Sequence, residues 1–149
     1  EYVIHGDSSG KVHRQEQGSN FDGEEIFSVY QTPFLHMEDP EQRKIFYTVA
    51  SYLRSEGDNN IVLSVLFDYE DFDTLSPSNF NLITKNAAAY FNEAAYNSTA
   101  VFDGNPAPVK RVNISGSGKS VAFKYVTNDT NASHSIQGIV VTFGVGDRL

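Results

Sequence analysis

The chain has 149 residues, no cysteine and a net charge of −8 at neutral pH. That length suits one domain with a sizeable core, and the absence of cysteine rules out a disulfide framework and a thiolate metal centre. Scattered Lys and Arg against an acidic background argue against wrapping nucleic acid or lying on anionic lipid. No apolar stretch approaches the roughly 20 residues that span a bilayer, so no membrane association is expected. The opening Glu1-Tyr2-Val3-Ile4-His5 lacks the regions of a signal peptide. A first residue other than Met leads us to expect a processed or excised piece of a longer protein.

In chain order, the first predicted element is a short β-hairpin. Tyr2-Val3-Ile4-His5 and Lys11-Val12-His13-Arg14 flank the turn-forming Gly6-Asp7-Ser8-Ser9-Gly10. Gln17-Gly18-Ser19-Asn20-Phe21-Asp22-Gly23 breaks the pattern and reads as a linker, and residues 24–30 resume as a strand. A lone hairpin is marginal in water, so a larger sheet, partly upstream of Glu1, is expected.

A charged turn over residues 36–44 then feeds two apolar runs, 45–53 and 61–69, read as a pair of central strands joined through the polar residues 55–60. Ile61, Leu63, Val65, Phe67 and Tyr69 alternate with a half-polar set, the two-residue period of a strand with one buried face. In the first run Ile45, Val49, Tyr52 and Leu53 also fit a helical face. Its β-branched and aromatic content, with turn signals on both sides, favours a strand.

Asp68, Glu70, Asp71 and Asp73 follow within six residues. Clustered carboxylates are the ligands of hard cations, which raises a calcium site. The EF-hand spacing is missing, because the sixth position counted from Asp68 is Asp73 where that loop needs Gly. A solvated acidic loop is the more economical reading.

Ser76-Pro77-Ser78 marks a turn before a strand at residues 80–84. Residues 86–97 are rich in Ala and fit a helix with Ala87, Tyr90, Phe91, Ala94 and Ala95 on one face. Aromatic residues followed by Asn or Asp recur at Phe91, Tyr96 and Phe102, spacings that suit successive bends of an irregular edge or strand instead. Tyr90, Phe91, Tyr96 and Phe102 are therefore the candidate outer-surface binding residues; the other aromatics read as core.

Residues 109–114 and 121–126 flank Ser115-Gly116-Ser117-Gly118-Lys119-Ser120. The Gly-Lys-Ser end resembles a phosphate-binding loop, but Asn113 stands where that motif needs Gly, and a strand follows where it needs a helix. A hairpin turn is expected. Residues 135–143 are apolar on both faces and read as an interior strand. His5, His13, His36 and His134 are dispersed, and no catalytic constellation is found, so no enzyme is expected.

The order of these features resembles a known family. Tyr2-Val3-Ile4-His5-Gly6-Asp7, then Gly10-Lys11-Val12 and Phe21-Asp22-Gly23, is similar to the last blade of a β-propeller in virion tail proteins of short-tailed bacteriophages. Gln31-Thr32-Pro33-Phe34-Leu35, Glu38-Asp39-Pro40 and Arg43-Lys44-Ile45-Phe46 resemble the link from that propeller to a C-terminal β-sandwich. The aromatic steps at Phe91, Tyr96 and Phe102, residues 112–118 and Ile136-Gln137-Gly138-Ile139-Val140-Val141 are similar to the rest of that sandwich. The resemblance implies a tail hub or nozzle (stabilisation) protein of the virion. It implies a homo-oligomeric ring that holds the channel for DNA without reading its sequence, with other phage tail proteins as partners.

The sequence therefore predicts an all-β fold: an antiparallel β-sandwich, jelly-roll-like, of about seven to nine strands over residues 24–149, preceded by the hairpin and linker of residues 1–23. The functional expectation is a non-enzymatic structural module of a phage tail. The alternative is a carbohydrate-binding sandwich that uses Tyr90, Phe91, Tyr96 or Phe102 as sugar platforms and calcium at residues 68–73.

Overall fold

The structure, a computed structural model, describes residues 3–14, 20, 23–55, 59–71, 73–84, 88–89, 101–102, 109–129 and 134–146. Its strands are β1 (Ile4–Gly6), β2 (Val12–Arg14), β3 (Ile26–Gln31), β4 (Lys44–Ser55), β5 (Asn59–Phe67), β6 (Phe80–Thr84), β7 (Ala88–Ala89), β8 (Val101–Phe102), β9 (Val109–Gly118), β10 (Val121–Asp129) and β11 (His134–Val145). A short 3-10 turn, Asp68–Glu70, follows β5. The fold is all-β, as expected. Two antiparallel sheets, in the spatial orders β3-β10-β5-β6 and β11-β4-β9, form the sandwich. β1 and β2 pair as the expected hairpin, with Gly10 at φ 82 in its turn, a conformation that glycine adopts without steric cost. β7 and β8 form a two-residue parallel pair.

The core lies between the two sheets. β5 contributes Ile61, Leu63, Val65 and Phe67, and β10 contributes Val121, Phe123 and Tyr125, all buried and alternating with partly or fully exposed neighbours apart from Ala122. From the other sheet Phe46, Val49, Leu53 and Ile114 face them. The Phe46 and Phe67 rings meet across the core at 5.3 Å, and Phe46 also meets Phe143 at 6.0 Å. Each such ring removes enough apolar surface from water to contribute about 2 kcal/mol.

Three expectations need correction. The run at 45–53 is a strand and so is the run from 61 through Phe67, with Asp68 and the exposed Tyr69 in the 3-10 turn instead, but the two strands do not pair with each other: β4 lies between β11 and β9, and β5 lies between β10 and β6. A strand with one buried face is equally satisfied by a partner opposite it across the core and by a partner beside it. Here β4 and β5 meet face to face.

The segment 115–120 is not a hairpin turn. β9 continues through Gly118 beside the start of β4, and only Lys119 and Ser120 carry the chain to the other sheet. Its glycines answer close approach rather than turning. A Cβ on Gly116 would stand 2.4 Å from Phe67 Cε2, and one on Gly118 would stand 3.1 Å from Asp68 Oδ1.

Finally, β11 is not interior. It pairs with β4 alone and forms an edge of its sheet among the described strands. Register shifts between Ile136 and Gly138 and between Thr142 and Phe143 change which residues point inward, which is why both faces read as apolar. Ile136, Ile139, Val141 and Phe143 pack on the core, while Val140 remains half exposed.

Candidate functional site

Two regions of the sandwich combine unusual backbone, buried polar groups or open surface: the end where the chain crosses between sheets, and the β11-β4-β9 sheet.

At the crossover end the backbone is held by side chains. Asp68, just past β5, accepts the amides of Lys119 and Ser120 through one carboxylate oxygen, Oδ1, at 2.7 and 2.9 Å. Lys44, at the start of β4, is almost fully buried, and its ammonium donates to the carbonyls of Asp39 and of Lys119, the latter at 3.4 Å. A buried charge is tolerated only with such partners. The segment after β3 joins the same end: Leu35 and Val121 exchange backbone hydrogen bonds at 2.8 and 3.0 Å. Phe34 packs on Tyr69 with ring centroids 4.5 Å apart, and the Tyr69 hydroxyl lies 3.3 Å from His36 Nε2.

Five non-glycine residues here have positive φ: Met37 and Glu38 in one loop, and Asp68, Tyr69 and Glu70 in the other. Each such residue is strained and persists because its surroundings over-determine it. Among the described residues, the Ser120 hydroxyl and His36 Nδ1 are buried without a hydrogen-bond partner.

Among the described residues, the carboxylates named for calcium point to different partners. Asp68 is turned toward the crossover amides, and its second oxygen lies 3.5 Å from the Thr74 hydroxyl. Glu70, Asp71 and Asp73 are exposed, with Asp71 accepting the Asp73 amide at 3.5 Å. Among the described residues no three His, Asp or Glu side chains converge to hold a metal ion. Of the candidate aromatic platforms, Tyr90, Phe91 and Tyr96 lie outside the described residues. Phe102 falls in β8, with its side chain likewise outside them.

Two of the four histidines do meet. The β1-β2 register sets His5 opposite His13, with rings stacked at 5.3 Å, and His13 Nε2 lies 3.1 Å from Asp7 Oδ2. Hydrogen bonds from the Ser9 hydroxyl, the Lys11 amide and His13 hold the Asp7 carboxyl well below the usual carboxylate range. Counting outward from the Gly6–Gly10 stretch of the sequence would set His5 opposite Lys11; the pair meets because Gly6 is itself in β1, opposite Val12, and the turn spans residues 7–11.

The β11-β4-β9 sheet is the larger feature, and no single residue of the sequence marks it. β11 presents a 12-residue edge, and apart from His134 it carries no ionisable side chain. Natural edges are usually blunted by Lys, Pro or a covering element. On the sheet's outward face Tyr47 lies against Gly144, where a Cβ would meet its hydroxyl at 2.8 Å, and Tyr52 stands opposite Gly138. Both tyrosines remain 40% exposed or more. Another edge strand of the sandwich, β3, also exposes Phe27, Val29 and Tyr30.

No helix among the described residues is long and apolar enough to cross a membrane. No family model, curated protein or solved structure matches this chain.

Proposed function

We propose that the chain is a non-enzymatic structural module of a bacteriophage tail, a part of the hub or nozzle that works through contacts with neighbouring subunits. The observation that carries this reading is the β11 edge. Twelve residues of strand whose outer side pairs with no other strand among the described residues, and which carry no charge after His134, form a surface suited to another chain. The exposed tyrosines beside it add anchors of the kind that dominate protein contacts. The resemblance of residues 2–23, 31–46 and 136–141 to tail proteins of short-tailed phages supplies the setting, the virion tail, and the expected arrangement, a ring of copies joined to other tail proteins.

Immunogold labelling tests the assignment. Antibody raised against the purified chain, applied to phage particles from its source, is expected to decorate the tail in electron micrographs. Labelling of the capsid alone, or of no part of the particle, rejects the reading. Saturable binding on a glycan panel, with no label on particles, replaces it by the carbohydrate-binding alternative.

A further inference from the structure

We propose that the outward face of the β11-β4-β9 sheet docks against the acidic crossover end of a second copy of this chain. The inference rests on the ring-subunit reading and names the two surfaces that make the contact.

The first surface is set apart by charge. β4, β9 and β11 contain no Asp or Glu, in a chain with 19 acidic residues. The strands do carry arginine. Arg111 sits opposite Ala50 and Arg54 opposite Ser135, both arginines exposed. Arg43, just before β4, reaches across to the Ser117 hydroxyl and carbonyl of β9 at 3.0 and 3.2 Å. No carboxylate pairs with Arg54 or Arg111 among the described residues. Tyr47, Tyr52 and Val140 lie among these arginines, between 40% and 53% exposed. Tyr and Arg enriched together, with Asp and Glu absent, is the composition of the buried centre of a protein interface.

The second surface is its complement. The exposed acids Glu38 and Glu41 lie in one loop, and Glu70, Asp71 and Asp73 in another. The contacts of Tyr69 with Phe34 and His36 bring those loops together at the crossover end. A basic, aromatic face and an acidic end on the same chain are different patches, so their contact is heterologous, and it closes into a ring when the rotation between copies allows. Nucleic acid is the poorer occupant, because three arginines neutralise few phosphates and the chain as a whole is acidic.

A charge-swap series followed by sedimentation velocity tests the pairing. The wild-type chain is expected to self-associate, more weakly at higher salt. Arg54→Glu with Arg111→Glu should weaken association about tenfold or more. Adding Asp71→Arg and Asp73→Arg in the same chain should restore it. Thermal melts that match wild type establish that the exposed substitutions leave the fold intact.

A wild-type chain that stays monomeric overturns the proposal. So does a double variant that assembles like wild type, a quadruple variant that fails to recover, or wild-type retardation of a double-stranded DNA fragment that is lost with Arg54→Glu and Arg111→Glu. Tail labelling with no charge-swap effect removes only this pairing. A restored association without tail labelling removes only the virion setting.

Discussion

Gly116 faces Phe67 across the core so closely that a Cβ at 116 would stand 2.4 Å from Phe67 Cε2 and 2.8 Å from Cζ. The ring is fully buried and also packs on Phe46, so it has little room to withdraw. Gly116→Ala should therefore destabilise the fold by about 1–3 kcal/mol, the usual cost of overpacking. Urea unfolding measures it. Combining Gly116→Ala with Phe67→Leu should cost less than the sum of the two single changes, since the smaller side chain relieves the clash that the methyl creates.

Asp68 links the two sheets through the backbone of the crossover. Asp68→Ala removes a charged acceptor from two amides and places Ala at φ 46, so a loss of about 3 kcal/mol is expected. Asp68→Asn keeps an acceptor oxygen and suits the left-handed backbone, and should cost only about 1 kcal/mol. Thermal denaturation of the two variants checks the order. Equal losses would mean that the carboxylate's hydrogen bonds are not what holds the crossover.

The Ser120 hydroxyl is buried without a partner among the described residues. Removing an unsatisfied polar atom relieves its desolvation cost, so Ser120→Ala should be neutral or stabilising by up to about 1 kcal/mol. A clear loss of stability in urea would reveal a partner for this hydroxyl, such as a bound water.

The sequence made some of this architecture legible. The alternation of Ile61, Leu63, Val65 and Phe67 identifies β5 and its buried face directly, because each of these inward positions is apolar while the set alternating with them is half polar. It left open whether two such strands lie side by side or face to face, since both arrangements bury the same residues.

In β4 the inward set runs Phe46, then Val49, Ser51 and Leu53, changing phase near Tyr47 where the register with β11 and β9 shifts. An irregularity of that kind makes a strand resemble a helix in sequence. Gly116 and Gly118 looked like turn residues because the rings and carboxylates that require their small size come from Phe67 and Asp68, about fifty positions away. The absence of acids from β4, β9 and β11 was present in the sequence, but it forms a pattern only once the three strands are known to be neighbours.

Besides the exposed Asp7, two buried or partly buried groups among the described residues contribute to the pH behaviour. Burial raises the Tyr125 hydroxyl above its ordinary value of 10.0, against the opposing effect of its 2.8 Å hydrogen bond with Ser51. With the folded value raised, this contribution is intact below pH 10, where the unfolded tyrosine is also neutral. It is lost as pH rises from there through the folded value. Burial lowers His134 below its ordinary 6.5, so its contribution is present above that pH and is lost as pH falls from there through the folded value. Stability against urea should thus decline on both the alkaline and acid sides. Tyr125→Phe should flatten the alkaline limb and His134→Asn the acid limb.

The most direct test of the subunit-contact account is sedimentation velocity of the wild-type chain beside Val140→Glu. Val140 is 53% exposed in the middle of β11, so a glutamate there fits the monomer, blunts the edge and sets a negative charge against the acidic partner surface. The account predicts that the wild-type chain sediments as a closed oligomer several times the 16.5 kDa protomer mass, and Val140→Glu as the protomer. A wild-type chain that sediments only as the protomer, or a glutamate variant that assembles unchanged, would contradict it.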